Sequence, residues 1–304
     1  MNVRGLYFEV AFRTGSIRAV STYMLAFDHR NSLLTTFFEV TGEPTDPEVA
    51  AACEVKRVIA DGLLNAIERT LVAADEAGAL VDSTYGADAI DALQDAGVRV
   101  AVPVEASGRR EFAFEHADWR ERLDATRPAW AKVLVRYNAD GDTAANERQR
   151  HRLLDLQTVA RAIGVGFLFE LLVPPEPSQR TSNYDAEVRP NLVVRGLEEL
   201  RKAGIAPDLW KIEGLDRRED CARVADVAGA PCVVLGRGAD AAAVERWLRA
   251  AASVPGFDGF AIGRSIWWDP VRAYMDGGID RAAAVSAIAD RYGHFVRIYR
   301  DAAS

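Results

Sequence analysis

The sequence predicts an α/β protein folded as a single (β/α)8 barrel, and three observations lead there. Eight short runs are nearly continuous in apolar residues, as parallel strands buried on both faces require. A segment with apolar residues at helical spacing follows each run. The alternation occupies roughly 250 residues, the size of a closed barrel of this kind, often called a TIM barrel. An open doubly wound sheet would need fewer strands and a glycine-rich turn after the first, and residues 26–31 (AFDHRN) offer none.

In chain order the strand-like runs are 22–28, 78–84, 98–105, 131–137, 165–173, 207–213, 231–236 and 257–263. The helical patterns fall at 47–76, 87–96, 117–126, 143–163, 185–203, 217–228, 240–252 and 280–300. Asp46-Pro47 opens the first of these as a cap followed by a first-turn proline. Gly97, Gly164 and Gly204 stand where helices should stop. The Pro-rich stretch 174–177 is too short for an interdomain linker and reads as an elaborated loop after the fifth strand. Residues 1–20 have no place in the eightfold count. They are expected to form an N-terminal extension that covers the barrel bottom or frays, with the barrel domain at 21–304.

The chain has 304 residues, 37 Lys and Arg against 45 Asp and Glu, and a formal charge of −8. That balance argues against nucleic acid or an anionic membrane as the main partner, since both need a basic face. Arg4, Glu9, Arg13 and Arg18 interrupt every apolar run near the N-terminus, and no stretch is long and apolar enough to span a bilayer. A cytoplasmic location is expected. Cys53, Cys221 and Cys232 are too few and scattered for a disulfide framework. The four histidines (His29, His116, His151, His294) show no ligand spacing, so neither a metal nor another cofactor is expected.

Only four of the 37 cations are lysines, at 56, 132, 202 and 211. In a chain that has otherwise become arginine-rich, a lysine inside an apolar strand is notable, because arginine is effectively always charged and cannot replace a titratable amine. Lys211 lies mid-strand between Trp210 and Ile212. An ammonium there must be paired or shifted in pKa, and a depressed pKa suits an amine that attacks a carbonyl to form a Schiff base. The alternative is an ion pair with Glu213 or Glu170. Lys132, on the fourth strand, is either a second interior ammonium that depresses its neighbour or a residue reaching to the barrel bottom. Glu170, in FLFELLV, needs a cationic partner or a raised pKa, and both suit proton transfer.

In such barrels chemistry gathers at the C-terminal strand ends. Asp28, His29 and Arg30 end the first strand and Glu105 the third, while Arg136 ends the fourth. Gly236-Arg237-Gly238 and Gly263-Arg264 end the seventh and eighth, where glycines let backbone amides approach an oxyanion and the arginines add charge-assisted bonds. Trp267-Trp268 is expected to pack around the eighth turn.

The motifs LAFDHRNSL (25–33), VDSTYGADAI (81–90), PVEASG (103–108), KVLVRYNADGD (132–142) and FELLVPPE (169–176) follow one another in order. WKIEGLD (210–216), LGRGAD (235–240) and GFAIGRSIWWDP (259–270) complete the series. This run, across about residues 21–297, resembles the 2-deoxy-5-keto-D-gluconate 6-phosphate aldolase domains that inositol-degrading bacteria carry behind a sugar kinase. It is more distantly similar to the class I tagatose-1,6-bisphosphate and sulfofructose-phosphate aldolases. The resemblance implies a Schiff-base lysine at Lys211, a second lysine at Lys132, a glutamate at Glu170 and an aspartate at Asp28. It also implies phosphate held around Gly236, Gly238, Gly263 and Arg264. Two departures stand out: Ala106 occupies a position where the family motif has lysine, leaving Arg109 as a substitute cation, and the kinase half is expected to be absent.

The resulting expectation is a metal-independent aldolase for a phosphorylated keto sugar acid. Lys211 forms the imine, Glu170 or Asp28 acts as base, Lys132 assists, Arg237 and Arg264 hold phosphate, and Arg136 holds a carboxylate. His29, Arg30 and Glu105 complete the binding surface. The alternatives are an aldolase for another sugar phosphate, bisphosphate or sulfo-sugar phosphate, and a metabolite-sensing regulator on the same scaffold. The expected partner is a small phosphorylated sugar, with association into a homo-oligomer left open.

Overall fold

A computed structural model describes residues 21–304. Eight parallel strands close on themselves in sequence order: β1 (Thr22–Ala26), β2 (Ala77–Leu80), β3 (Arg99–Pro103), β4 (Trp130–Arg136), β5 (Gly166–Leu172), β6 (Leu209–Glu213), β7 (Cys232–Leu235) and β8 (Phe257–Ile262). β8 pairs with β1 and seals the ring. The predicted (β/α)8 barrel is the fold. Most strands are shorter than their apolar runs, and those of β1, β2, β3, β5, β7 and β8 continue past the last strand residue toward the barrel mouth. Residues 1–20, read from sequence as an extension, lie outside the described residues.

The outer layer consists of α1 (Asp46–Glu68), α2 (Ala87–Asp95), α3 (Trp119–Thr126), α4 (Thr143–Ile163), α5 (Arg189–Lys202), α6 (Arg218–Ala228), α7 (Ala241–Ala252), α8 (Arg264–Met275) and α9 (Arg281–Ala303). Local chemistry sets several ends. Thr45 and Glu48 form a reciprocal capping box at the start of α1, with Pro47 in its first turn. The side chains of Asp142, Asp240 and Asp280 cap α4, α7 and α9 by accepting from the amides of Ala145, Ala243 and Ala283. Gly164 closes α4 in a left-handed conformation.

Three expectations need correction. α1 stops at Glu68, and residues up to 76 turn back toward β2 through Thr70 at φ +57°. Residues 184–188 form a π-helical turn, and α5 begins only at Arg189 because Pro190 sits in its first turn. Residues 264–275, to which the sequence reading gave no helix, are the helix α8. It lacks a side-chain cap and carries Pro270 inside, so the usual start signal is missing and a stop signal is present. Trp267 and Trp268 belong to this helix, and the Trp267 indole donates to Ala26 O at 3.0 Å. Among the described residues no helix is long and apolar enough to cross a membrane.

Strand periodicity separates two cores. Side chains such as Val133, Val135, Phe169 and Trp210 face the helices and join one large cluster. The alternate positions Met24, Leu80, Ala101, Leu168, Leu209, Val233 and Ala261 fill the barrel interior as a dry plug. One pleat further along the same faces, the interior becomes polar: Ala26 is followed by Asp28, Leu168 by Glu170, and Leu209 by Lys211. β5 and β6 pair with Glu170 directly opposite Lys211, which places both at one level above the plug.

Candidate functional site

The polar layer forms the floor of a cavity of about 900 Å³ at the C-terminal end of the barrel. All thirteen residues singled out from the sequence line it: Asp28, His29, Arg30, Glu105, Lys132, Arg136, Glu170, Lys211, Gly236, Arg237, Gly238, Gly263 and Arg264. Seven lysines and arginines against five carboxylates surround the cavity, an excess of positive charge in a chain whose overall charge is −8.

Five strands contribute the floor, β1 and β3 through residues just past their C-terminal ends. Lys132 Nζ lies 2.8 Å from Asp28 Oδ2, 2.7 Å from Glu105 Oε1 and 3.0 Å from Glu170 Oε2. Lys211 Nζ, on a side chain only 3 % exposed, lies 3.0 Å from that same Glu170 oxygen. The pairing partners left open by the sequence are thereby decided. Lys211 pairs with Glu170 rather than Glu213, and Lys132 reaches upward into the cavity floor rather than to the barrel bottom.

The charges sustain one another. Burial opposes the Lys132 ammonium, but the carboxylates of Asp28, Glu105 and Glu170 outweigh it and hold its pKa well above that of free lysine. Burial also disfavours the Asp28 and Glu170 carboxylates, and in each case Lys132 and Lys211 overcome it and lower the pKa. Glu105 is raised, because its desolvation exceeds the pull of Lys132. His29 is pushed down to about 4, chiefly by burial and by Lys56, Arg264 and Lys211, against the opposing Asp28. Its imidazole is therefore neutral at pH 7, with the ring edge-on to Trp267 and a buried Nδ1 that has no hydrogen-bond partner among the described residues.

The rim is less uniform than the sequence suggested. Arg30 is buried, donates to Glu105 O at 2.7 Å and pairs with Glu115. Arg136 donates to Arg109 O at 2.8 Å, linking the fourth strand end to the loop that carries Ala106. Arg237, at φ +50°, is already engaged by Asp185 at 2.8 Å and Glu213 at 3.1 Å. Arg264 has no carboxylate partner among the described residues, and its guanidinium donates to Arg237 O at 3.4 Å. Gly263 and Gly238 are tight positions. A Cβ on Gly263 would lie 2.1 Å from Ala26 O, and one on Gly238 would lie 2.0 Å from the Arg264 side chain.

Sequence reasoning missed Tyr184 and Asp185, which reach the cavity from the π-helical turn. It also left Lys56 without a role. That residue lies on a helix, where nothing in the local pattern marks it, and only the scarcity of lysine could have drawn attention to it. Its side chain is 1 % exposed and pairs with Asp82 beside the end of β1.

Fold and cavity together define a barrel protein compatible with an aldolase-like enzyme, carrying a buried two-lysine site at the C-terminal end of its strands. The chain belongs to the family described as "uncharacterized protein conserved in bacteria (DUF2090)", whose model matches residues 11–303. Among solved structures it resembles Cgl0159 from Corynebacterium glutamicum (Brevibacterium flavum), at 19% identity and a TM-score of 0.59. That match covers 90% of this chain and 86% of the other, and at this identity it speaks for the fold alone. No curated protein matches the chain.

Proposed function

We propose that this protein is a class I aldolase acting on a phosphorylated keto sugar acid, with Lys211 as the Schiff-base residue. The observation that carries the reading is the sharing of Glu170 Oε2. Lys132 has three carboxylates to hold it charged, whereas among the described residues Lys211 pairs with this one alone, already divided with its neighbour. Lys211 is therefore the less encumbered of the two amines, the one left to attack a carbonyl.

In the proposed reaction the Lys211 nitrogen bonds to the ketone carbon, and the resulting carbinolamine loses water to give a protonated imine. The bond between the carbon α to that imine and the hydroxyl-bearing carbon beyond it then breaks; its electron pair becomes the carbon–carbon double bond of an enamine as the imine π pair moves onto nitrogen. Glu170 removes the hydroxyl proton of the departing half, which leaves as an aldehyde. Protonation of the enamine carbon and hydrolysis of the imine release the second product and restore Lys211.

The cationic lining favours a doubly anionic substrate. Arg264 and the backbone at Gly236, Gly238 and Gly263 would hold phosphate, and Arg136 would hold a carboxylate. Together with the sequence resemblance this favours 2-deoxy-5-keto-D-gluconate 6-phosphate, cleaved to dihydroxyacetone phosphate and malonate semialdehyde. The test is borohydride reduction in the presence of dihydroxyacetone phosphate, followed by peptide mass spectrometry. A reduced adduct on Lys211, absent from Lys211→Arg, is expected. No adduct, or one that persists in that variant, overturns the assignment.

A further inference from the structure

Lys56 projects from α1 toward the end of β1 but does not line the cavity. Its ammonium donates to the backbone carbonyl of Phe27 and, at 2.8 Å, to that of His29, the two residues that flank Asp28. It also lies 2.5 Å from Asp82 Oδ2, while Asp82 Oδ1 accepts from the Tyr85 amide at 2.9 Å. We propose that Lys56 is a positioning residue: from behind the cavity wall it sets the backbone on both sides of Asp28, so that Asp28 can hold Lys132 against Glu170. This role rests on the aldolase reading.

The chemistry calls for lysine at this point. Three acceptors converge on one nitrogen, which a compact ammonium with three rotatable donors can satisfy and a planar guanidinium, with its donors spread over a fork, cannot. Of the four lysines, the three that are buried are Lys56, Lys132 and Lys211; Lys202 is exposed. A buried ion pair contributes little net stability compared with apolar packing, so stability alone gives a weak reason for keeping a charge there. Geometry gives a stronger one. Fixing the Phe27 carbonyl fixes the peptide plane that leads into Asp28, and fixing the His29 carbonyl anchors the chain one residue beyond it; together they restrict the direction of the Asp28 side chain. The Asp28–Lys132 contact at 2.8 Å spans 104 residues of sequence and depends on that direction.

Two variants test the role. Lys56→Met with Asp82→Asn removes both charges while keeping the acceptor for the Tyr85 amide. Lys56→Arg keeps the charge beside Asp82 but loses the convergence on both carbonyls. Thermal unfolding reports folding, borohydride trapping with dihydroxyacetone phosphate reports imine formation, and deuterium uptake from D2O into the hydroxyl-bearing carbon of that compound reports proton transfer. In folded variants trapping is expected to persist while deuterium uptake falls by about a hundredfold. Native uptake in whichever variant keeps the native melting temperature overturns the proposal and leaves Lys56 as a structural ion only. Failure of the unaltered protein to trap any adduct would instead overturn the aldolase reading itself.

Discussion

Lys132 and Lys211 meet at one atom: each ammonium nitrogen lies 3.0 Å from Glu170 Oε2. Neighbouring strands supply all three residues, and the pairing of Glu170 with Lys211 in the β5–β6 register places that carboxylate beside the amine before any side chain adjusts. The contacts of Lys132 to Asp28 and Glu105 make it the best-compensated ion of the floor.

Replacing Lys132 with Met should therefore cost far more than a surface charge would. Three buried carboxylates would lose their common partner, and breaking buried pairs of this kind costs about 3–5 kcal/mol. Urea denaturation at pH 7 measures it. Because its folded pKa is raised, the Lys132 contribution is fully present below the ordinary lysine value and is lost as pH rises through the folded one.

Asp28 and Glu170 have the opposite sign. Their folded pKa values lie below the ordinary carboxylate range, so the stability they supply is present above about pH 5 and falls away as the solution is acidified through the folded values. The urea midpoint should drop on acidification, and Asp28→Asn should show a shallower decline.

The two rim arginines should separate in their effects. Arg264→Ala is expected to weaken inorganic phosphate binding by about tenfold or more, the value of a charge-assisted hydrogen bond, with the melting temperature unchanged. Arg237→Ala should lower the melting temperature, since it strips a partner from Glu213, whose carboxyl burial already pushes up in pKa. Calorimetric titration with phosphate and thermal unfolding distinguish the two.

Glycines of the phosphate-proposed rim should differ as well. Gly263→Ala drives a Cβ against the Ala26 carbonyl and should cost about 1–3 kcal/mol, as overpacking does. At Gly236 the nearest atoms lie 3.5 Å from a Cβ, an ordinary contact, so Gly236→Ala should be tolerated. Denaturant midpoints of the two variants provide the comparison.

Much of this was legible before any folding. Apolar runs with helices between them give the barrel, because a parallel strand buried on both faces can contain little else. Alternation along each strand then puts Asp28, Glu170 and Lys211 on the inward faces, one pleat above the plug, and the strand-end rule gathers all thirteen predicted residues at one mouth. The helix α8 was not legible, because Pro270 and an uncapped start mask it locally.

What the sequence by itself determined is which strand-end residues gather at one mouth of the barrel; which atoms pair there was decided only by the tertiary structure. Strand periodicity is a local property of the backbone and repeats wherever the chain is extended. Partner choice is not local, since Lys132 and Asp28 stand 104 residues apart and Lys56 reaches the β1 end from a helix, through contacts that exist only once the ring has closed. Arg237 shows the same division: its strand-end position was readable, but its engagement by Asp185 and Glu213 depends on where the π-helical turn and β6 come to rest beside it.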